Sequence, residues 1–209
     1  MHILIDLQGA QSASRFRGIG RYSLELALGI ARNAGEHTIS LLLNAALPAS
    51  IPSIRQAFEG LVAAHRIHLF DPATPACESA PDNTWRTRAS EKIREYVIAQ
   101  LQPDRVLVTS LFEGFVDDAI CSVGAFGDGA NTAVVLYDLI PFLNPQAYLG
   151  TAAQQDYYAR KIDALKRAGL LLSISDYSRS EAITALGIDA QRIVSISTAV
   201  AGVWLRPLA

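Results

Sequence analysis

The opening stretch constrains the fold more than any other. Residues 2–33 read HILIDLQGAQSASRFRGIGRYSLELALGIARN. Ile3, Leu4, Ile5 and Leu7 form a short apolar run of the kind that is buried on both faces of a sheet. Polar and small residues follow, ending in Arg15-Phe16-Arg17-Gly18-Ile19-Gly20-Arg21. Tyr22, Leu24, Leu26, Ala27, Leu28, Ile30 and Ala31 then recur at helical spacing on a broad apolar face. Strand, glycine loop and helix in that order outline an anion site. Glycines let backbone N–H groups approach a ligand, the helix start adds partial positive charge, and Arg15, Arg17 and Arg21 add full charges nearby. The plainer reading is that Gly18 and Gly20 only let the helix pack close to the strand. The G-x-G-x-x-G fingerprint is incomplete, because position 23 is Ser, and the loop over residues 8–17 is longer than a dinucleotide-binding turn.

The same alternation continues down the chain. Strands are predicted over residues 37–44, 66–70, 105–109, 133–138, 169–174 and 192–196. Helices are predicted over 54–64, from a cap at Asn83 or Thr84 to Leu101, over 151–168, and from a Ser175 cap to Leu186, closed by Gly187. In the helix after Asn83, the stripe Trp85, Ala89, Ile93, Tyr96, Val97 and Leu101 reads as core. Pro141 and Pro145 argue against a helix directly after the fifth strand. Apolar strands alternating with amphipathic helices predict an α/β, Rossmann-like, mainly parallel sheet of about six or seven strands with helices on both faces. Ligands of such sheets sit beyond the carboxyl ends of the strands, which selects residues 8–21, 109–115, 137–142 and 173–179.

Composition narrows the function classes. With 209 residues, half of them hydrophobic, the chain can bury one large domain or a domain and a half. A net charge of −2 gives no global field for nucleic acid or acidic membrane. Cys77 and Cys121 are isolated, which argues against a disulfide framework or zinc site and suits a reducing cytoplasm. No signal peptide or apolar run of membrane-spanning length is visible.

Four groups of residues could carry chemistry. Asp138, beside Tyr137 at the tip of the fifth strand, can fix a sugar hydroxyl or a water, or simply cap the next turn. Glu113 lies among Phe112, Gly114 and Phe115, where desolvation would suit an acid or base and the aromatics would suit a sugar; the plainer reading is an exposed loop glutamate. His65 and His68 have metal-like spacing but span a helix–strand boundary without a third ligand, so no metal is expected. Ser173, Ser175, Ser178 and Ser180 lack a G-x-S-x-G frame and read as caps.

Taken together, the segments RGIGRY, PDRVLVTSLFEGF, VVLYDLIPF and LLSISDYSRSE, with LGI and RIVSI after them, resemble glycosyltransferase family 4. More narrowly, they are similar to its bacterial mannosyltransferase-like members that build surface polysaccharides. The resemblance runs over about residues 2–198. It implies one half of a GT-B fold and retaining transfer from a nucleotide-sugar, with GDP-mannose one such donor, to a glycan or lipid-linked acceptor. It implies no metal or other cofactor, and a cytoplasmic protein, peripheral at the inner face of the membrane. Residues 1–200 would form the acceptor-side domain, and 201–209 would begin the crossover to a donor-binding domain. Gly18, Gly20 and Arg21 fall in the family's donor-phosphate loop, Arg17 and Glu113 on the acceptor side, and Tyr137-Asp138 where many members carry a catalytic His-Asp. A phenol at that place can still donate a hydrogen bond. Exposed apolar surface is expected near the strand tips or around Val203-Trp204-Leu205. The rivals are a stand-alone nucleotide-binding module and a non-catalytic scaffold that binds a glycan or partner protein. Asn44, where an NAD-binding fold would carry an acid, argues against the first.

Overall fold

The computed structural model describes residues 1–198. Seven strands are built in chain order: β1 (His2–Asp6), β2 (Thr38–Asn44), β3 (Ile67–Phe70), β4 (Arg105–Val108), β5 (Thr132–Leu136), β6 (Leu170–Ser173) and β7 (Ile193–Ser195). The helices are α1 (Gly18–Arg32), α2 (Ile51–Ala57), α3 (Thr84–Leu101), α4 (Ile140–Leu143), α5 (Pro145–Tyr148), α6 (Ala152–Arg167) and α7 (Asp176–Leu186). The spatial order is β3-β2-β1-β4-β5-β6-β7, and every neighbouring pair is parallel. The strand order reverses between β1 and β4, so the crevice where a doubly wound sheet binds its ligand lies above Asp6 and Val108.

The period of two along each strand divides the core between the two faces. Val106, Val108, Val134 and Leu136 turn toward Ile162 and Leu165 of α6 and Ala182 and Leu186 of α7. Ile5, Leu41, Leu43, Leu107 and Val135 turn the other way, toward Ala27, Leu28 and Ala31 of α1 and Ile54 of α2. Helices on both faces are the reason the strands read as unbroken apolar runs. The predicted caps of α7 are present, whereas at the start of α3 neither Asn83 nor Thr84 caps with its side chain. Ser175 accepts from the Ser178 amide, and Gly187 closes α7 at φ +67°, which only glycine adopts without strain.

Three expectations need correction. In α3 the aromatic stripe is not core: Trp85 and Tyr96 are 63% and 52% exposed. The buried face is Thr87, Ser90, Glu91 and Arg94. Hydrogen bonds orient its first turns, with Thr87 Oγ1 donating to the Ala76 carbonyl at 2.8 Å and Ser90 Oγ to that of Ala73 at 3.3 Å, and only the end of the predicted stripe, Val97 and Leu101, packs on core beside Leu4, Leu42 and Phe70. After β5, Pro141 and Pro145 open the short helices α4 and α5 instead of forbidding them, because the first turn has no use for the missing N–H. The second predicted helix is shorter and earlier, ending before a turn in which Gly60 takes φ +76°. The expectation for Val203-Trp204-Leu205 lies outside the described residues.

Candidate functional site at the carboxyl ends of the strands

The crevice has a polar floor. Asp6 and Arg94 are both 1% exposed, and Arg94 Nε donates to Asp6 Oδ2 at 2.6 Å. Arg94 Nη2 lies 2.5 Å from the same oxygen without hydrogen-bond geometry, so the Nε contact is the directed one. Burial alone would lower the Arg94 pKa; Asp6, together with Cys121 and Glu95, more than reverses that and raises it. Asp6 Oδ1 accepts from the Gln8 amide at 3.1 Å. Gln8 exchanges two hydrogen bonds with the backbone of Ile120, at 2.6 and 2.7 Å, and accepts from Asn44 Nδ2 at 2.9 Å. Gln11 accepts from the Asn44 amide at 2.7 Å. The loop after β1 is thus fastened to the tip of β2 and to the loop that follows β4. Each side chain in this floor bonds to protein through at least one atom, so the floor supports the site.

Glu113 is not an exposed loop residue. It is 5% exposed and accepts three hydroxyls: Ser110 at 2.7 Å, Ser12 at 2.8 Å and Ser14 at 3.0 Å. Burial raises its pKa, and the serine hydrogen bonds work against that shift. The inward turn depends on Gly114 at φ +96°, where a Cβ would collide with the Ala119 carbonyl. The Glu113 carbonyl in turn accepts from the Tyr157 hydroxyl at 3.2 Å.

The glycine loop is also more closely packed than the sequence implied. A Cβ on Gly20 would stand 2.5 Å from the Ser14 carbonyl oxygen and 2.8 Å from the Arg15 carbonyl carbon. Gly20 therefore serves close packing of α1 beneath the turn over Ala13–Phe16, not against the strand that the plainer reading named. Gly18 differs: nothing lies within 4 Å of its Cβ position, and it is exposed. Among the described residues the amides of Gly18, Ile19 and Gly20 have no hydrogen-bond partner, and the Arg17 side chain does not cap them. Arg17 and Arg21 are exposed beside this helix start.

Tyr137 and Asp138 part ways. The Tyr137 hydroxyl turns inward, within 3.1 Å of the Thr109 carbonyl, 3.2 Å of Ser23 Oγ and 3.3 Å of the Ile19 carbonyl. Its single proton is taken by a backbone carbonyl, and burial raises its pKa. Tyr137 thereby joins the tips of β4 and β5 to the start of α1. Asp138 is exposed; its Oδ1 accepts from the Ile140 amide at 3.0 Å, the capping role, and no partner is recorded for Oδ2 among the described residues.

The four selected segments do meet. Glu113 ties the first to the second, Tyr137 ties the third to both, and Ser178 Oγ ties the fourth to the Tyr137 carbonyl at 2.7 Å. Phe16, Val116, Phe142, Tyr148 and Tyr177 are exposed on the loops and helices beyond the strand tips. Sequence reasoning missed Arg94, Ser12, Ser14 and the bonding role of Gln8. The available signal was a polar residue ending an apolar strand, Asp6 or Asn44, which needs a buried partner. Among the described residues no group of three or more His, Cys, Asp or Glu could hold a metal ion. None of their helices is long and apolar enough to cross a membrane.

No family model matches the chain. It is 36% identical over 201 residues, 96% of its length, to the serotype-specific mannosyltransferase WbdA of Escherichia coli. A second protein of that name and species is 32% identical over 176 residues, 84% of the chain. The chain is a homologue of these mannosyltransferases. The resemblance to glycosyltransferases drawn from the motifs is therefore borne out. The chain spans about a quarter of their length, 24% and 22% respectively. Among solved structures, the UDP complex of Arabidopsis thaliana UGT89C1 matches with a TM-score of 0.52 at 10% identity, over 96% of this chain and 49% of that one. The UDP-L-rhamnose complex matches with a TM-score of 0.52 at 12% identity, over 100% and 56%. At such identities the likeness is one of fold, and it fits one Rossmann-like half of a GT-B architecture.

Proposed function

We propose that this chain is the acceptor-side domain of a retaining glycosyltransferase that moves a hexose, with mannose from GDP-mannose the first donor to try, onto a glycan or lipid-linked acceptor of a surface polysaccharide. The observation that carries the reading is 36% identity across 96% of the chain to a protein named a mannosyltransferase. Three features support it. The amides of Gly18 and Ile19, without a partner among the described residues and flanked by Arg17 and Arg21, are suited to an anionic phosphate. They stand at the strand-order reversal, where doubly wound sheets bind ligands. Asp138, exposed and with no partner for Oδ2 among the described residues, is the carboxylate suited to a sugar hydroxyl. Tyr137 then acts by holding the helix start in place, not by touching the sugar. The missing wall of the cleft belongs to a donor-binding domain elsewhere in the polypeptide. The reaction needs no metal in this reading, and the protein works in the cytoplasm, peripheral to the inner face of the membrane. The test is to incubate the full-length protein with GDP-mannose and a mannose-terminated lipid-linked glycan. Product analysis by mass and by the anomeric proton should show one added mannose with the donor's configuration. No transfer from GDP-mannose or from a panel of other nucleotide-sugars would refute the assignment.

A further inference from the structure

Glu113 does something that neither reading of it from the sequence anticipated. All three of its hydroxyl donors are neutral, and two of them, Ser12 and Ser14, lie in the turn that precedes α1, while Ser110 lies at the end of β4. Ser12 Oγ also accepts from the Ser14 amide at 3.1 Å, so the two serines behave as one unit. The same turn lies directly on Gly20, with no room for even a methyl group between them. A displacement of the turn therefore displaces the first residues of α1. We propose that Glu113 is a positioning residue, a buried clamp whose carboxylate locks residues 12–16 to β4 and thereby fixes the amides of residues 18–20 and Arg21 that face the anionic substrate. The substrate half of this statement rests on the function proposed above.

The chemistry of the clamp is specific. A carboxylate has acceptor capacity for three hydroxyls and cannot swap roles with them. Its charged neighbour on the same loop, Asp117, has the same sign and itself accepts from the Ala13 amide at 2.5 Å, a second fastening of the same turn. Tyr157, from α6, meets the Glu113 backbone and not its carboxylate. No arginine or lysine bridges to Glu113 among the described residues, so geometry depends on the hydroxyls alone. Glutamine keeps one acceptor oxygen, and a serine hydroxyl can rotate to accept from its amide. Alanine leaves all three hydroxyls without their partner.

The experiment uses the full-length protein with Glu113→Ala, Glu113→Gln and, in case the first fails to fold, the pair Ser12→Ala with Ser14→Ala. Hydrogen exchange is followed over residues 12–20, with β1 and β4 as internal references, alongside kcat and the donor KM. We expect Glu113→Ala, or the double serine variant, to speed exchange over residues 12–20 about tenfold and to raise the donor KM about tenfold with a smaller change in kcat, while Glu113→Gln stays within about threefold of wild type in both. Unchanged exchange in Glu113→Ala or in the double serine variant would overturn the clamp. So would a Glu113→Gln enzyme with wild-type exchange and a collapsed kcat, which would make the carboxylate itself a catalytic group. A wild-type protein that transfers no sugar would defeat the function reading, and the exchange comparison would still decide the clamp.

Discussion

Gly20 and Gly29 lie on the same helix, and replacing each with alanine should move stability in opposite directions. At Gly29 nothing lies within 4 Å of the new methyl group, so only helix propensity changes, a gain of about 1 kcal/mol. At Gly20 the methyl carbon would stand 2.5 Å from the Ser14 oxygen and 2.8 Å from the Arg15 carbonyl carbon, where an unstrained contact needs about 3.5 Å. Both obstacles are backbone, so the turn over Ala13–Phe16 must shift by about 1 Å or the helix must tilt. Overpacking of this kind costs about 1–3 kcal/mol, which exceeds or cancels the propensity gain. For a domain of this size each kcal/mol moves the melting temperature by about 2–4 °C. Thermal unfolding followed by far-ultraviolet circular dichroism should therefore put Gly29→Ala about 2–4 °C above the wild type and Gly20→Ala level with it or several degrees below. If both variants rise by the same amount, the turn does not lie on Gly20, and both the packing account of the loop and the route from Glu113 to α1 fall with it.

Gly18 separates packing from chemistry, because nothing would meet a side chain there. Gly18→Asp should keep or slightly raise the melting temperature, since a carboxylate suits a helix start, yet cut kcat/KM of the full-length enzyme by about a hundredfold through repulsion of the substrate phosphate; normal kcat/KM would remove the loop from the active site. Replacing Arg94 with Met strands a buried Asp6 carboxylate and should cost about 3–5 kcal/mol in urea unfolding, most of it recovered when Asp6 is also made Asn; a loss below about 1 kcal/mol would show that the pair is not buried as described. The raised pKa of Glu113 makes the folded state bind its proton more tightly than the unfolded state does. Its contribution to stability is therefore most favourable below the ordinary value of 4.5 and declines as pH rises above it, until the folded carboxyl ionises. Comparing unfolding free energies across that window, Glu113→Gln should lose this decline, and an identical slope in both proteins would refute the burial. Tyr137→Phe should lower stability by about 1 kcal/mol and change kcat less than about threefold, because the phenol bonds to protein; a loss of a hundredfold or more in kcat at normal stability would return it to the catalytic set.

The fold was legible because its strongest determinant is local. Runs such as Ala133-Val134-Val135-Leu136 have no stable home except a sheet covered on both sides, and the intervening helical stripes at α1 and α6 supply the covers. Misreadings arose where polar atoms replace apolar ones as packing partners. The buried face of α3 is Thr87, Ser90, Glu91 and Arg94, and hydrophobic periodicity cannot see it. The site was legible as a place but not as a set of roles. Strand ends selected four segments that do meet in the fold. The partners of Glu113 at positions 12 and 14 lie about a hundred residues away in the chain, and only the β1–β4 pairing brings them together. Gly20 was ambiguous for a similar reason: the space denied to its side chain is filled by a turn whose shape no short motif encodes. At Asp138 the capping role read from sequence is present, and it occupies only one oxygen, so the two readings are compatible.

The central claim is that this domain meets its acceptor at the carboxyl ends of the strands. Hydrogen exchange of the full-length protein, with and without the acceptor glycan, tests it most directly. The account predicts slowed exchange over residues 13–21, 110–116, 138–142 and 176–179, the loops beyond β1, β4, β5 and β6. Protection confined to the opposite edge, over residues 33–37, 102–104 and 127–131, would contradict it.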